Sequence, residues 1–172
     1  ILEYKILMID MDLSIVIPTY NRYESCRDLA NSIDQQKWGE NVKFLIYDNA
    51  SPDLRYKKLF EKISSKWKII RRHSNIGYAA SYNQIIYEIQ TKWLIVIGDD
   101  DTIKEDFAEK LQSLIPTIND KTIAIKTFCN ISQNFNEGFK DEEIHTLNQL
   151  LTKISDPYIF SEFIFISTWI VN

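Results

Sequence analysis

Five runs along the chain are apolar on nearly every residue and rich in β-branched side chains: Leu13 to Ile17, Val42 to Tyr47, Trp67 to Ile70, Trp93 to Ile97 and Ile123 to Phe128. Each predicts a strand. Several lack the polar alternation of a half-exposed sheet, which is the pattern of strands buried on both faces in a parallel sheet. The segments between them carry helical spacing instead. Cys26, Leu29, Ala30 and Ile33 recur at i, i+3, i+4 and i+7, the stripe of a helix that packs on one side. Tyr56, Leu59, Phe60 and Ile63 repeat it, behind Ser51 as the expected N-cap and Pro52 at the first helical position. Tyr82, Ile85, Ile86 and Ile89 make a third stripe, and Phe107, Leu111, Leu114 and Ile115 a fourth that ends at Pro116. Strand and helix alternating in this way predict a doubly wound α/β domain, its sheet mostly parallel with helices on both faces.

Beyond Phe128 the pattern changes. Residues 130–141 are polar and loop-like, Ile144 to Ile154 predicts a short helix, and Tyr158 to Val171 predicts one or two strands. The chain then stops at Asn172 inside an apolar run, with no helix left to cover the last strand, as at a truncated boundary. At the other end, ILEYKILMID has neither a basic region nor a small-residue cleavage site, so it reads as an extra strand or extension and not as a signal peptide. Met11, just before the first strand, is a candidate natural start.

Composition narrows the class. With 172 residues, 45% of them hydrophobic and 26% charged, the chain fits one globular domain with a sizeable core. A net charge of -4 provides no basic footprint for a phosphate backbone, so nucleic acid is not an expected partner. Cys26 and Cys129 are the only cysteines, too few for a disulfide framework or a thiolate metal site, which suits a cytoplasmic setting. No stretch reaches the roughly 18 apolar residues of a spanning helix. The nearest, Ile159 to Val171, is short and contains Glu162.

An open parallel sheet binds ligands outside the carboxyl ends of its strands. Those ends are followed by Pro18-Thr19-Tyr20-Asn21-Arg22, by Asp48-Asn49-Ala50-Ser51-Pro52-Asp53, by Asn75-Ile76-Gly77-Tyr78 and by Gly98-Asp99-Asp100-Asp101. Their composition suits a nucleotide diphosphate with a metal. Three consecutive carboxylates repel one another unless solvated or neutralised, and all-oxygen ligands favour a hard divalent ion such as Mg2+ or Mn2+. The alternative is that Asp100 or Asp101 caps a helix starting near Lys104. Asp48 to Asp53 similarly fits either a nucleoside contact or an Asx turn, and Asn75 with Gly77 reads as a turn in which glycine permits positive φ. Arg22 is a candidate cation for phosphate, whereas Arg71, Arg72 and His73 read more simply as a surface patch. Neither His73 nor His145 has a Ser or Cys partner in a nucleophile motif, and four glycines in the whole chain leave no glycine-rich phosphate loop. Triad hydrolase, ATPase and dehydrogenase readings fall away.

Ser14 to Arg22, Tyr47 to Asp53, Asn75 to Asn83 and Trp93 to Asp101, four motifs in order and each at a strand end, together resemble the family-2 glycosyltransferases of the GT-A fold. The resemblance covers residues 13–115. It implies a donor nucleotide held by Pro18, Thr19, Tyr20 and Arg22, by Asp48 and Asn49, and by Asn75 and Gly77. It also implies a DxD-type signature at Asp99 to Asp101, with Asp99 on the ribose and Asp100 or Asp101 on a divalent cation, Mn2+ or Mg2+, that bridges the diphosphate. Many relatives have two acids where this chain has Asp48 and Asn49, and an acid in place of Gly98. On this reading residues 1–12 are an extension, 13–128 the nucleotide-sugar donor domain, and 129–172 the start of the acceptor side.

The implied reaction is inverting transfer of a sugar, from a UDP-sugar, to a saccharide or lipid-linked acceptor in bacterial surface glycan synthesis. The full-length enzyme would then sit in the cytoplasm or peripherally at the inner membrane face. The general base of the relatives lies downstream of the segment that Phe163 to Asn172 resembles; Asp141, Glu142, Glu143, Asp156 and Glu162 are available carboxylates outside that motif. Two other classes compete. A sugar-nucleotide nucleotidyltransferase would carry a glycine-rich basic loop after the first strand, which Pro18 to Arg22 is not. A non-catalytic nucleotide-sugar-binding module would bind donor without turnover.

Overall fold

The computed structural model describes residues 12–118, together with the backbone of three short strands further on. The described strands are β1 (Leu13–Thr19), β2 (Val42–Asp48), β3 (Trp67–Arg71), β4 (Trp93–Val96), β5 (Ala124–Lys126), β6 (Glu142–Ile144) and β7 (Trp169–Val171). They form one sheet in the order β3-β2-β1-β4-β7-β5-β6. β1 pairs in parallel with β2 from Leu13↔Val42 to Thr19↔Asp48 and with β4 from Leu13↔Trp93 to Val16↔Val96. β3 adds in parallel to β2. β7 runs antiparallel between β4 and β5, and β6 runs antiparallel to β5. The fifth predicted strand therefore exists in shortened form, one place further from β4 than simple succession would put it.

Side chains leave the central strands alternately toward two cores. Leu13, Ile15, Ile17, Phe44, Ile46, Trp93, Ile95 and Ile97 join one cluster, covered by α1 (Tyr23–Asp34) through Cys26, Leu29, Ala30 and Ile33 and by α3 (Phe107–Leu114) through Ala108 and Leu111. Val16, Leu45, Tyr47, Leu94 and Val96 join the other, covered by Ile85 of α2 (Tyr78–Glu88). Both faces are thus apolar, which is why these strands read as unbroken hydrophobic runs. The chain steps outward from β1 through β2 to β3, then returns past β1 to lay down β4. The order reverses between β1 and β4, and the crevice at that reversal is where this architecture accepts ligands.

Three local expectations need correction. The second helix is a 3-10 helix, Leu54–Glu61, whose N-cap is Asp53, its carboxylate accepting from the Arg55 N–H; Ser51 and Pro52 lie before it. Ser51 is drawn into the preceding turn instead, its N–H donating to Asp48 Oδ1 at 2.8 Å, and Ala50 takes a positive φ of 62° to make that turn. Ile86, expected on the buried stripe of α2, is 51% exposed, because Ser81 and Ile85 are the buried residues of that helix. Finally, α3 begins at Phe107 and not near Lys104, so neither Asp100 nor Asp101 caps it; Gln36 Oε1 accepts from the Ala108 N–H at 2.7 Å. The expected extension at 1–12, all but its last residue, the loop at 130–141 and most of the helix at Ile144 to Ile154 lie outside the described residues. Ile144 itself ends β6.

Candidate functional site

At the crevice, the ends of β1 and β4 are tied by a closed ring of hydrogen bonds. Thr19 Oγ1 donates to Asp99 Oδ2 at 2.7 Å, so the proton between Thr19 and the Tyr56 hydroxyl, 2.6 Å away, belongs to Tyr56. Tyr56 Oη in turn accepts from the Arg22 N–H at 3.0 Å, and Arg22 Nη1 donates to Asp99 Oδ1 at 3.0 Å. The ring links the first loop, the acidic loop and the 3-10 helix, and each bond polarises the next. Asp99 is 5% exposed with both oxygens engaged. Burial raises its carboxyl above the usual range, against the pull of Thr19 and Arg22. The Tyr56 hydroxyl is pushed up to about 12, chiefly by burial.

A second network closes the ends of β2 and β3. Asp48, 1% exposed, accepts the Ser51 N–H on Oδ1 and pairs with Arg71 through Oδ2. Arg71 also donates to the Ser51 carbonyl, and Ser51 Oγ accepts from the Asn21 N–H at 2.8 Å, joining this loop to the first. Asn49 Nδ2 donates to Asn75 Oδ1 at 2.8 Å, and Asn49 Oδ1 accepts from the Ile76 N–H at 3.1 Å. Asn75 Oδ1 also takes the Gly77 N–H at 2.8 Å, and Gly77 adopts φ 80° as it caps α2. The turn requires the glycine, as its spacing predicts.

The acidic loop resolves three like residues into different environments. Asp99 is buried, whereas the Asp100 side chain is 62% exposed and its Oδ2 lies 2.6 Å from Arg22 Nη1. A Cβ on Gly98 would meet Asp101 Oδ2 at 2.8 Å and Asp100 Oδ1 at 3.1 Å. The two carboxylates thus converge over Gly98, in a volume that any larger residue would fill. Among the described residues no group of three or more His, Cys, Asp or Glu side chains is arranged to hold a metal ion. Two convergent carboxylates nevertheless fit a hard cation whose remaining ligands are substrate phosphates and water.

Every predicted site residue within these loops is brought to one end of the sheet. Pro18 and Thr19 end β1, Tyr20 beyond them is 45% exposed, and Arg22 stands immediately before α1. Asp48 ends β2 and Asn49 follows it, while Asn75 and Gly77 come after β3 and Asp99 to Asp101 after β4. Tyr56 and Arg71 also join these networks, without a mark in the sequence that sets them there. Tyr56 reads as part of an apolar stripe, and nothing in its spacing marks the hydroxyl. Arg71 reads as part of a surface patch; only the strand register Asp48↔Arg71 sets it beside a carboxylate. Arg72 is not loose on the surface either, since it pairs with Glu88 and lies over the Tyr47 ring at 5.0 Å.

The parallel part of the sheet, which reverses between β1 and β4 with an acidic loop at the reversal, defines a Rossmann-like α/β architecture, and the structural neighbours give it the GT-A fold. Glycosyl transferase family 2 matches residues 14–168, and the chain belongs to that family. It is 32% identical over 92 residues to the dolichol-phosphate mannosyltransferase of Pyrococcus furiosus, covering 52% of this chain and 26% of that protein. It is 27% identical over 158 residues to the abequosyltransferase RfbV of Salmonella typhimurium, covering 83% of this chain and 46% of RfbV. The chain therefore spans less than half the length of either relative. In structure it resembles TarS 1-349 of S. aureus in complex with UDP-GlcNAc, at TM-score 0.57 and 20% identity, covering 66% of this chain and 33% of that one. It also resembles the mannosyltransferase PcManGT of Pyrobaculum calidifontis in complex with GDP-Man and Mn2+, at TM-score 0.53 and 15% identity, covering 67% and 35%.

Proposed function

We propose that the chain carries the donor-binding part of a metal-dependent glycosyltransferase that moves a sugar from a UDP-sugar to a saccharide or lipid-linked acceptor, with inversion, in bacterial surface glycan synthesis. The observation that carries this reading is the placing of Asp100 and Asp101 over Gly98, beside Arg22, at the point where strand order reverses. Support also comes from the neighbours bound to UDP-GlcNAc and to GDP-Man with Mn2+, and from a relative named for dolichol phosphate.

In this reading the loops of β1 and β2 receive the nucleoside. Pro18, Thr19 and the exposed Tyr20 line one side, and Asp48 and Asn49, braced by Arg71 and Asn75, line the other; Gly77 sets the turn that keeps Asn75 in place. Asp99 faces the ribose side of the crevice while bracing Arg22, whose guanidinium is the cation nearest the diphosphate. Asp100 and Asp101 would hold Mn2+ or Mg2+. When bound, the ion offsets charge that builds on the leaving nucleoside diphosphate. The full-length enzyme would act in the cytoplasm or at the inner face of the membrane; among the described residues no helix is long and apolar enough to cross one.

Titration calorimetry of UDP, GDP and dTDP, with and without Mn2+, tests the reading. The expected result is Mn2+-dependent binding of UDP that weakens at least about tenfold in Asp100→Ala, the loss of roughly 1.4 kcal/mol. Asp101→Ala should weaken it as well. Failure of all three nucleotides to bind in the presence of Mn2+ would contradict it.

A further inference from the structure

One nitrogen of Arg22 serves two carboxylates: Nη1 is 3.0 Å from Asp99 Oδ1 and 2.6 Å from Asp100 Oδ2. The two contacts differ in kind. Asp99 is buried, and its other oxygen is held by Thr19, so that half of the pair is built into the loop. Asp100 and Arg22 have side chains 62% and 53% exposed, so their contact is a surface ion pair, easily exchanged. Asp100 Oδ1, meanwhile, lies over Gly98, 3.1 Å from where a Cβ there would sit, and Asp101 Oδ2 lies 2.8 Å from the same point. The guanidinium therefore neutralises the same carboxylate that a divalent cation would need.

Resting on the reading of Asp100 and Asp101 as metal-holding residues, we propose that Arg22 is a displaceable counter-ion: with no donor present its guanidinium holds the cation's place on Asp100, and the donor's diphosphate draws it away. Two positive charges cannot share Asp100 without repulsion, so the metal binds weakly while Arg22 stays. A diphosphate offers Arg22 stronger, two-pronged hydrogen bonds than one exposed carboxylate oxygen does. Its arrival releases Asp100 at the moment the phosphates can complete the ion's coordination. Metal and nucleotide then favour each other reciprocally. The ring through Tyr56 and Thr19 anchors the backbone of Arg22 and the carboxylate of Asp99, so that the guanidinium has only to swing off Asp100, pivoting at its bond to Asp99.

Electron paramagnetic resonance of free Mn2+ measures this without turnover, using the full chain with and without UDP. Without UDP, Arg22→Ala should bind Mn2+ about two- to fivefold more tightly than the wild type, the scale of one exposed ion pair. Arg22→Gln, which keeps a hydrogen-bond donor for Asp99 without the charge, should do the same and guards against a folding defect in the alanine variant. In both variants the factor by which UDP tightens Mn2+ binding should be smaller than in the wild type. Equal or weaker Mn2+ binding by both variants, with the wild type binding Mn2+ when UDP is present, would overturn the counter-ion proposal and leave the metal site standing. Absence of Mn2+ binding by all three proteins, with or without UDP, would overturn both.

Discussion

Asp99, Asp100 and Asp101 are adjacent and chemically identical, yet the fold sets Asp99 in surroundings different from those of the other two. Asp99 ends in the buried ring with Thr19, Tyr56 and Arg22, while Asp100 and Asp101 lie over Gly98. No motif separates them, because what distinguishes them is burial and the neighbours that β1 and the 3-10 helix bring. Gly98 was legible only as a departure from the usual acid; in the structure a side chain there would press on the tips of both carboxylates. The raised carboxyl of Asp99 has a consequence for stability. A carboxyl whose folded pKa lies above its unfolded value of about 3.9 holds its proton better when folded, so its contribution to stability falls as pH rises through that window. Urea titrations of wild type and Asp99→Asn from acid to neutral pH should show the variant gaining relative to the wild type as pH rises above about 4, then a constant difference. A relative loss over that window would mean that Arg22 outweighs burial.

Strands were the most legible elements. Parallel pairing buries both faces, so Leu13–Thr19, Val42–Asp48 and Trp93–Val96 announce themselves through unbroken apolar runs. The 3-10 helix was not legible, because its stripe of Tyr56 and Leu59 suits an α-helix equally well and the tighter turn is set by tertiary contact. The start of α3 was also hidden. Its N-cap residue, Asp106, makes no side-chain capping bond, and Gln36, far away in sequence, supplies the acceptor. Gln36 Oε1 takes the Ala108 N–H at 2.7 Å while Nε2 donates to the Lys104 carbonyl at 2.9 Å. That clamp fixes the segment that follows the acidic loop to the end of α1. Gln36→Ala should destabilise the protein by about 1 kcal/mol, the usual size of a lost cap, read as a lower urea midpoint at unchanged slope. An unchanged midpoint would show that water replaces the amide without cost.

At the scale of the whole molecule, one topological event makes the site. The return of the chain from β3 past β1 to β4 sets the loops of β1 and β4 side by side, and the ring through Tyr56 locks them. The order of the four motifs made this convergence predictable, since each falls at a strand's carboxyl end; Trp169–Val171 also lies within the run that predicts one or two strands, but its antiparallel place between β4 and β5 was not legible, because a strand's own residues do not say which neighbour it pairs with or in which direction. The domain matches 46% of RfbV and 26% of the mannosyltransferase from Pyrococcus furiosus, so its own contribution is best tested at the donor. The most direct measurement is the anomalous difference density of Mn2+ in crystals grown with UDP. One peak should appear in direct contact with Asp100 or Asp101 and with the diphosphate, with Arg22 turned from Asp100 to the phosphates. A nucleotide seated away from the end of β4, or Mn2+ bound apart from both aspartates, would contradict it.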